Sequence, residues 1–480
     1  MIKTDSASKK RGISAVFWKL SSLRPETVYT VLAVLFGVIA AIIIPPLTVA
    51  DEQAHFLNVL KLSHFQFLPS VKDGAQGVYL SFSEIEFLSF YSKDVIHPQV
   101  DLGDFFRFSA QPYAATEFYP SEFASLNPIA YVIPGMGLAL VRFVLPFLNV
   151  HFCLIVARLI NLAFAILVTR HAIRITPVLK NTMLLIALLP MTVHQTASTS
   201  YDAILIPAAL LFFAYVMKIV FSGKDYTVTV LDIVAVCGSC ALLFGTKFFY
   251  GAMIVVLLAI PKKCIGTWKK YFSLAAGIIL IAALFYYLPS RLTSSAVADL
   301  AAPPDPRLSE QSAFFFSNIV WALPRVIFDT TVTFFSAWSN QFFGVLGWLT
   351  IPFPTVCVII FYAIFLFVIA WEICTAGMIS MRARVFSFLA FFITSLGAIF
   401  GIYLRYNPVI GYVGGTVAYG VQGRYFIPCV LFGIAAFANS LMDKCRAKGT
   451  VSMVACLISQ ATALLCGVGT VVILLWYYWF

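Results

Sequence analysis

Long runs of apolar residues, separated by short polar or basic gaps, recur along the whole chain. The first run, Val28 to Thr48, has 21 residues and no charge. As an α-helix it would be about 31 Å long, close to the roughly 30 Å hydrocarbon core of a bilayer. The pattern predicts an all-α integral membrane protein. Eleven runs are predicted to cross the membrane: 28–48, 150–170, 181–199, 202–221, 228–245, 248–260, 271–289, 352–371, 385–404, 425–441 and 451–477.

A twelfth apolar segment, 126–148, decides the orientation of the chain. If it only dips into the membrane, most of the 32 Lys and Arg residues share one side, which the positive-inside rule makes cytoplasmic. If it crosses, the same basic clusters face outward, so we expect a re-entrant or surface-lying segment here. The clusters are Arg170, Arg174 and Lys180; Lys262, Lys263, Lys269 and Lys270; Arg382 and Arg384; and Lys444, Arg446 and Lys448.

The predicted organisation is a single membrane domain, residues 28–480, after a cytoplasmic tail of residues 1–27. Two long segments would face outward, 49–126 and 290–351. The first is rich in Phe, Tyr and Ser, which suits short interfacial helices. The basic tail resembles the start of a secretory signal, but an apolar run as long as 28–48 favours a retained anchor.

Composition supports this class of protein and removes two others. With 61% hydrophobic and 11% charged residues, the chain has too much apolar surface for one soluble core. The net charge of +11 does not favour nucleic-acid binding, because the basic residues lie where they orient membrane spans. All ten cysteines lie in predicted spans or their flanks, so no disulfide framework is predicted. The Cys237/Cys240 pair is interpreted as small-residue packing.

Ionisable residues near membrane depth are costly unless they face water, a partner or a substrate, so they are the informative positions. Pro45-Pro46 must end the first helix, and Asp51-Glu52 follows at the membrane surface, with His55 one turn beyond Asp51. One carboxylate could act as a general base, or Asp51 and His55 could help to hold a divalent cation. The alternative is an acidic helix start that complements the helix dipole.

Tyr201-Asp202 brings a second carboxylate to the same predicted face. Ser198, Thr199 and Ser200 precede it, so a plain helix N-cap is the alternative interpretation. His194 and Gln195, one turn earlier, are expected to be packed polar groups.

Lys247 separates two short apolar runs and falls on the predicted outer side, where a positive-inside protein should avoid a cation. With Phe248, Phe249 and Tyr250 beside it, Lys247 could present its ammonium group to a lipid phosphate. Snorkelling from a helix end explains it equally well.

Two arginines lie at or near membrane depth. Arg158 is about 12 Å into its predicted span and must pair with a buried carboxylate or grip a phosphate that enters from the lipid. Arg424, between Gln422 and Tyr425, offers five donors at headgroup depth. Aromatic anchoring explains Tyr425 but not Gln-Gly-Arg.

Together, acids, a lysine and arginines are expected to converge on one face of a lipid-embedded bundle. Transfer from a lipid-linked phosphosugar needs such a site: cations stabilise the departing phosphate and a carboxylate deprotonates the acceptor. The lipid donor would supply the energy, and no P-loop motif occurs in the chain.

These motifs resemble a family of bacterial multi-pass proteins of unknown function that is grouped with the GT-C glycosyltransferases. The matching elements run in order from about residue 40 to 440. They are Pro45-Pro46 with Asp51-Glu52 and His55-Phe56, Ser200-Tyr201-Asp202, Lys247 with Tyr250, Phe343 to Leu349, and Gln422 to Pro428.

The resemblance implies a GT-C-like bundle of about 11–12 helices that uses a polyprenyl-phosphate sugar on the outer face of a bacterial cytoplasmic membrane. Asp51 or Glu52 would be the base, Asp202 a second acid, and Arg158, Lys247 and Arg424 the donor-phosphate contacts. A lipid-linked or surface glycan, such as an O-antigen, would be the acceptor. The rival functions are a transporter or flippase for a lipid-linked glycan, and a polysaccharide polymerase or ligase. No firm metal site is predicted.

Overall fold

The computed structural model describes residues 21–96, 98, 103, 108, 116–222, 226–296, 305–375, 379–437 and 449–480. The basic residues before position 21, Cys445 and the cluster Lys444, Arg446 and Lys448 lie outside this part of the chain. Within it, the protein is a bundle of α-helices with two small antiparallel sheets. The predicted class, an all-α integral membrane protein, is confirmed.

In chain order the α-helices are α1 Pro25–Ile43, α2 Glu52–Ser63, α3 Phe82–Tyr91, α4 Val132–Val144, α5 Val150–Ile175, α6 Lys180–Ala187, α7 Pro190–Thr196, α8 Asp202–Phe221, α9 Val230–Thr246, α10 Lys262–Ile265, α11 Trp268–Ala282, α12 Leu288–Ala296, α13 Pro306–Ser317, α14 Ile319–Gly344, α15 Thr355–Thr375, α16 Met381–Arg405, α17 Val430–Ala436 and α18 Gly449–Trp479. Shorter elements are the 3-10 helices Glu122–Ser125, Pro128–Tyr131, Phe248–Ala259 and Gly423–Phe426, and the π segment Ala283–Tyr287 between α11 and α12. The strands are β1 Ser70–Lys72, β2 Ala75–Leu80, β3 Glu117–Pro120, β4 Val345–Leu346 and β5 Ile351–Pro352.

Eight helices in the described part of the chain are long and apolar enough to cross a membrane. They are α1, α5, α8, the continuous helix Trp268–Ser295, α14, α15, α16 and, over Ser452–Trp479, α18. This number is below the expected eleven or twelve because four predicted spans are short or broken. All four are apolar, but within the described part of the chain each forms helices of fewer than 18 residues.

The predicted span 181–199 shows why. It divides into α6 and α7 just before Pro190, whose ring removes a backbone donor and cannot continue a helix. The span 248–260 is a 3-10 helix of 12 residues, about 24 Å long at 2.0 Å per residue. The span 228–245 is α9, with 17 residues. The described residues of the span 425–441 belong to the turn Gly423–Phe426 and to α17, which has seven residues, and residues 438–441 lie outside the described part of the chain.

One long helix lies where the sequence predicts a loop. The segment 290–351 contains α13 and the 26-residue α14, which meets the length and composition of a membrane span. Arg325 and Asp329 interrupt its apolar run. Since their side chains approach to 3.9 Å on successive turns, the helix carries both charges together.

The segment 49–126 contains a small sheet that the sequence does not predict. β2 is its central strand, pairing antiparallel with β1 and β3, and the helices α2 and α3 flank it. The following 3-10 helix and α4 together form an apolar helical stretch of 17 residues, Pro128–Val144. This length is at the lower limit of a crossing helix, so the re-entrant or surface-lying segment stays a prediction.

The broken helix α6–α7 forms the centre of the bundle. Every residue from Thr182 to Ser200 is buried. Glu372 of α15 fixes its beginning, because its carboxylate accepts hydrogen bonds from the backbone N–H groups of Asn181 and Thr182, both at 2.8 Å. The Thr182 hydroxyl donates a third, also at 2.8 Å. Helix starts leave such N–H groups without partners, so this carboxylate holds α6 in place.

We expect Glu372→Ala to destabilise the fold by about 2 kcal/mol, because two buried backbone donors lose their acceptor. Glu372→Gln, which keeps one acceptor oxygen, should lie between this variant and the wild type. The thermal unfolding temperature of the detergent-purified protein measures the effect. Glu310→Ala, at an exposed helical position, is the control; equal unfolding temperatures for the two alanine variants would contradict the anchoring role.

Candidate active site

A buried ion pair fixes the chain where it leaves α1. The guanidinium of Arg158 in α5 donates to both oxygens of Glu52, from Nε at 2.9 Å and from Nη2 at 2.6 Å. Its other donors reach the backbone carbonyls of Ala41, Ile44 and Pro45, at 3.1, 2.6 and 2.9 Å. All five N–H groups are therefore used. Of the two alternatives for Arg158, the structure shows the pair with a buried carboxylate.

Glu52 also joins the Arg158–Glu52 ion pair to the turn that follows α7. Its Oε1 also accepts from the backbone N–H of Thr199 at 3.1 Å, and its side chain is 0% exposed. Asn161, one turn after Arg158, donates to the carbonyl of Ser198 at 2.9 Å. These hydrogen bonds hold the loop before Glu52 next to the turn before Asp202.

Asp51 immediately precedes Glu52 in the chain, but its side chain contacts Arg424 rather than Arg158. Its backbone is left-handed, with φ of 63°, and its side chain is 53% exposed. It is the N-cap residue of α2 but forms no capping hydrogen bond to it, so at this helix start its side chain can act only through its charge. Its Oδ2 lies 3.5 Å from Nη2 of Arg424.

Arg424 is the buried centre of the site, with a side chain 1% exposed. Its Nε donates to Gln422 at 2.6 Å and its Nη1 to Gln195 at 3.0 Å. Nη1 also lies 3.5 Å from Oδ2 of Asp202, an oxygen that accepts no hydrogen bond from the described residues. One guanidinium therefore faces both carboxylates, Asp51 and Asp202.

Lys247, at the end of α9, approaches the same cluster through aromatic rings. Its Nζ lies 4.0 Å from the ring centre of Tyr425 and 4.6 Å from that of Tyr201. The hydroxyl of Tyr250 donates to the carbonyl of Tyr425 at 3.0 Å, which fixes that ring. In the described part of the chain, Lys247 forms no ion pair with a carboxylate. Its charge is stabilised by contact with the faces of the Tyr201 and Tyr425 rings.

His55 lies beneath these rings as a neutral group. Its Nδ1 is 2.7 Å from the hydroxyl of Tyr131, and its ring meets Tyr201 edge-on at 4.8 Å. Burial, with the nearby charges of Arg424 and Lys247, lowers the pKa of His55 to about 3. No group of three or more His, Cys, Asp or Glu in the described residues is arranged to hold a metal, so Asp51 and His55 lack further protein ligands.

Gly423 lets the segment that carries Arg424 pack against α14. A Cβ added at Gly423 would lie 2.0 Å from the carbonyl oxygen of Trp338, which no side chain tolerates. Its N–H donates to Gln341 at 2.8 Å, and the Trp338 indole donates to Val421 at 2.7 Å. The glycine in Gln-Gly-Arg therefore serves close approach.

The structure adds residues that sequence reasoning set aside or missed. Gln195, expected to be only a packed polar group, holds Arg424, and His194 accepts from the backbone N–H of Gly347 at 3.2 Å. The Trp348 indole donates to the carbonyl of Leu47 at 3.2 Å, which ties the β4–β5 turn to the loop before Asp51. The sequence signal that could have identified Gln195 and His194 is their position as polar residues within a long apolar run.

Comparison with known proteins gives one match. A model for the family described as "Predicted membrane protein (DUF2142)" matches residues 34–432. No curated protein and no solved structure matches the chain.

We expect Glu52→Gln to destabilise the fold by about 3–5 kcal/mol, because Arg158 would stay buried without its counter-charge. Asp51→Asn, one residue away, should change stability by less than about 0.5 kcal/mol, since its side chain is half exposed and Asn tolerates the left-handed backbone. Thermal unfolding of both purified variants measures the difference. Similar losses of stability would contradict the division of these neighbouring acids.

The pKa of His55 predicts a pH dependence of stability. Below pH 6.5 the unfolded chain takes up a proton at this residue, whereas the folded protein does so only near pH 3. The contribution of His55 is therefore fully present above pH 6.5 and falls on acidification, by up to about 1.4 kcal/mol per pH unit. Unfolding by urea at pH 7 and pH 5 should show a weaker pH dependence in His55→Asn than in the wild type. Parallel pH dependences would show that His55 is not buried as a neutral group.

Proposed function

This chain belongs to the DUF2142 family of predicted membrane proteins, and from that premise we propose that it is an inverting glycosyltransferase of the GT-C type. It transfers a hexose from a polyprenyl-phosphate donor to a cell-surface glycan. One observation carries the proposal: a half-exposed acid, Asp51, and a cation without an acidic partner, Lys247, border the same buried Arg424.

Lys247 is the cation available to the donor phosphate. Arg424 already faces Asp51 and Asp202, whereas Lys247 rests on the rings of Tyr201 and Tyr425. A phosphate gains negative charge when its bond to the sugar breaks. A preorganised ammonium group in a site of low dielectric stabilises that charge more than water does.

Asp51 is the proposed general base. It takes the proton of an acceptor hydroxyl, whose oxygen forms a new bond to the anomeric carbon. The bond from that carbon to the phosphate oxygen breaks, and its electron pair leaves with the polyprenyl phosphate. A single displacement of this kind inverts the anomeric centre, and Asp51 is left protonated.

Asp202, Gln195 and Gln422 support this chemistry by holding Arg424 at its place. Arg424 in turn fixes Asp51 from one side, so the base meets the acceptor in one orientation. The rings of Tyr201 and Tyr425 hold the Lys247 ammonium group, and Tyr250 donates a hydrogen bond to the backbone of Tyr425. Arg158 has no free N–H group for a substrate and the Glu52 side chain is fully buried against it, so we assign both to the support of the loop.

We place the site on the outer face of the bacterial cytoplasmic membrane, with the N-terminus in the cytoplasm. The basic cluster that includes Arg174 lies 16 residues beyond Arg158, about 24 Å along α5. This distance puts it at the opposite end of the bundle from the site. The positive-inside rule makes that opposite end cytoplasmic.

The proposal is tested by sugar transfer in membranes that contain the protein, with radiolabelled polyprenyl-phosphate hexoses and the native surface glycan. Asp51→Asn should lower the rate of transfer by at least about 100-fold, the size of a general-base contribution. Lys247→Gln should slow the chemical step and weaken donor binding, because it removes the phosphate contact.

Asp73→Asn is the matched control. Asp73 also has a left-handed backbone, with φ of 51°, and lies in the β1–β2 turn away from Arg424. It should transfer sugar at the wild-type rate. Full turnover in Asp51→Asn would remove the proposed base. Movement of the labelled lipid between leaflets without transfer would favour a flippase instead.

A further inference from the structure

An apolar slot separates the 3-10 helix Phe248–Ala259 from α11. Its volume is about 310 Å³, in the range of small-molecule sites. Branched aliphatic side chains line it from both helices, including Ile254, Leu258, Leu274 and Ile278. The one polar group on its wall, the hydroxyl of Tyr271, donates to the carbonyl of Leu257 at 3.4 Å. The slot is therefore built for a hydrocarbon chain.

The two helices run antiparallel. The beginning of the 3-10 helix and the end of the helix Trp268–Ser295 therefore lie side by side, near the proposed active site. Phe248, which follows Lys247, contacts the ring of Tyr286 at 4.6 Å. Asn127 donates to the carbonyl of Phe285 at 3.2 Å, within the π segment that joins α11 to α12. Ile254 begins the slot seven residues after Lys247, about 14 Å along a 3-10 helix.

A second cation stands at this end. Arg291 of α12 is exposed and stacks over the ring of Tyr287 at 4.7 Å. Like Lys247, it forms no ion pair with a carboxylate of the described residues. The helix Trp268–Ser295 is only 6% buried along its apolar window, so lipid has access to it from the side.

We propose that the groove between the 3-10 helix Phe248–Ala259 and the helix Trp268–Ser295 is the binding site of the lipid donor. The isoprenoid units nearest the phosphate occupy the apolar slot while the rest of the chain stays in the lipid, and the phosphate passes Arg291 at the outer end of the groove and binds at Lys247. Basic residues stand at both ends of the groove, Lys269 and Lys270 at one end and Arg291 and Lys247 at the other. The second pair adjoins the proposed active site, so we place the anionic head of the lipid there. The inference rests on the proposed function for the identity of that lipid.

The first experiment maps the chain directly. Full-length protein in nanodiscs is irradiated with decaprenyl phosphate that carries no sugar and bears a diazirine on one of the isoprene units closest to the phosphate, because the slot begins about 14 Å from Lys247. Peptide mass spectrometry should find the adducts on residues 254–279. Adducts only on other helices would overturn the proposal. Displacement of the probe by an equal amount of phosphatidylglycerol would also overturn it, because the groove would then be a general lipid contact.

A matched pair of variants tests the slot by affinity. Ala275 lines the slot, whereas its neighbour Ala276 is exposed on the same helix. Ala275→Phe should weaken binding of decaprenyl phosphate by about tenfold or more because it fills the slot, and Ala276→Phe should leave the dissociation constant within about twofold. Equal effects of the two variants would contradict the assignment. If Ala275→Phe does not fold, the adducts in the wild-type protein decide.

Arg291 is tested separately as the rim contact. Arg291→Gln should slow the association of decaprenyl phosphate severalfold, and Arg291→Lys should restore it, because steering depends on charge. Lys270→Gln, an exposed cation near the beginning of α11, is the control. An unchanged association rate in Arg291→Gln would remove this residue from the site.

These experiments test the lipid-binding groove and the proposed sugar transfer independently. Binding in the slot without any sugar transfer would contradict the proposed function and leave the lipid site standing. Transfer by Ala275→Phe with the wild-type KM for the donor would remove the slot and leave the proposed function standing.

Discussion

The buried pair of Arg158 and Glu52 is the constraint on which the rest of the structure depends. It joins the exit of α1, the start of α2, the helix α5 and the turn before α8 at one point. Two charges out of water are stable only when their geometry is good and their remaining hydrogen bonds are made, and here every donor of Arg158 is used. Asp51 and Asp202 owe their common location to this junction.

The sequence was sufficient for the class of fold and for the charged residues that meet at the site. Apolar runs identified most of the long helices, because a membrane requires length and composition together. The reasoning that a charge at membrane depth needs a partner or a substrate also picked out Arg158, Lys247 and Arg424. It could not say which cation was already paired, since pairing joins residues more than 100 positions apart.

The rest was hidden for local and physical reasons. A proline divides the predicted span into α6 and α7, so hydropathy overestimated the length of that helix. Two charges on successive turns of α14 lowered its hydropathy, so this helix was predicted to be a loop. The strands of the small sheet have only three to six residues, too few to show an alternating pattern. Gln195 was dismissed because a glutamine in an apolar run is as compatible with packing as with contact to a guanidinium.

The left-handed backbone at position 51 couples conformation to chemistry. Most side chains are strained there by roughly 1–2 kcal/mol, and aspartate and asparagine are among the few that adopt it readily. Glutamate, an equally good proton acceptor, is poorly tolerated at this point of the chain. Asparagine and glycine would fit this backbone but would remove the proposed base, so the conformation and the chemistry together restrict position 51 to aspartate.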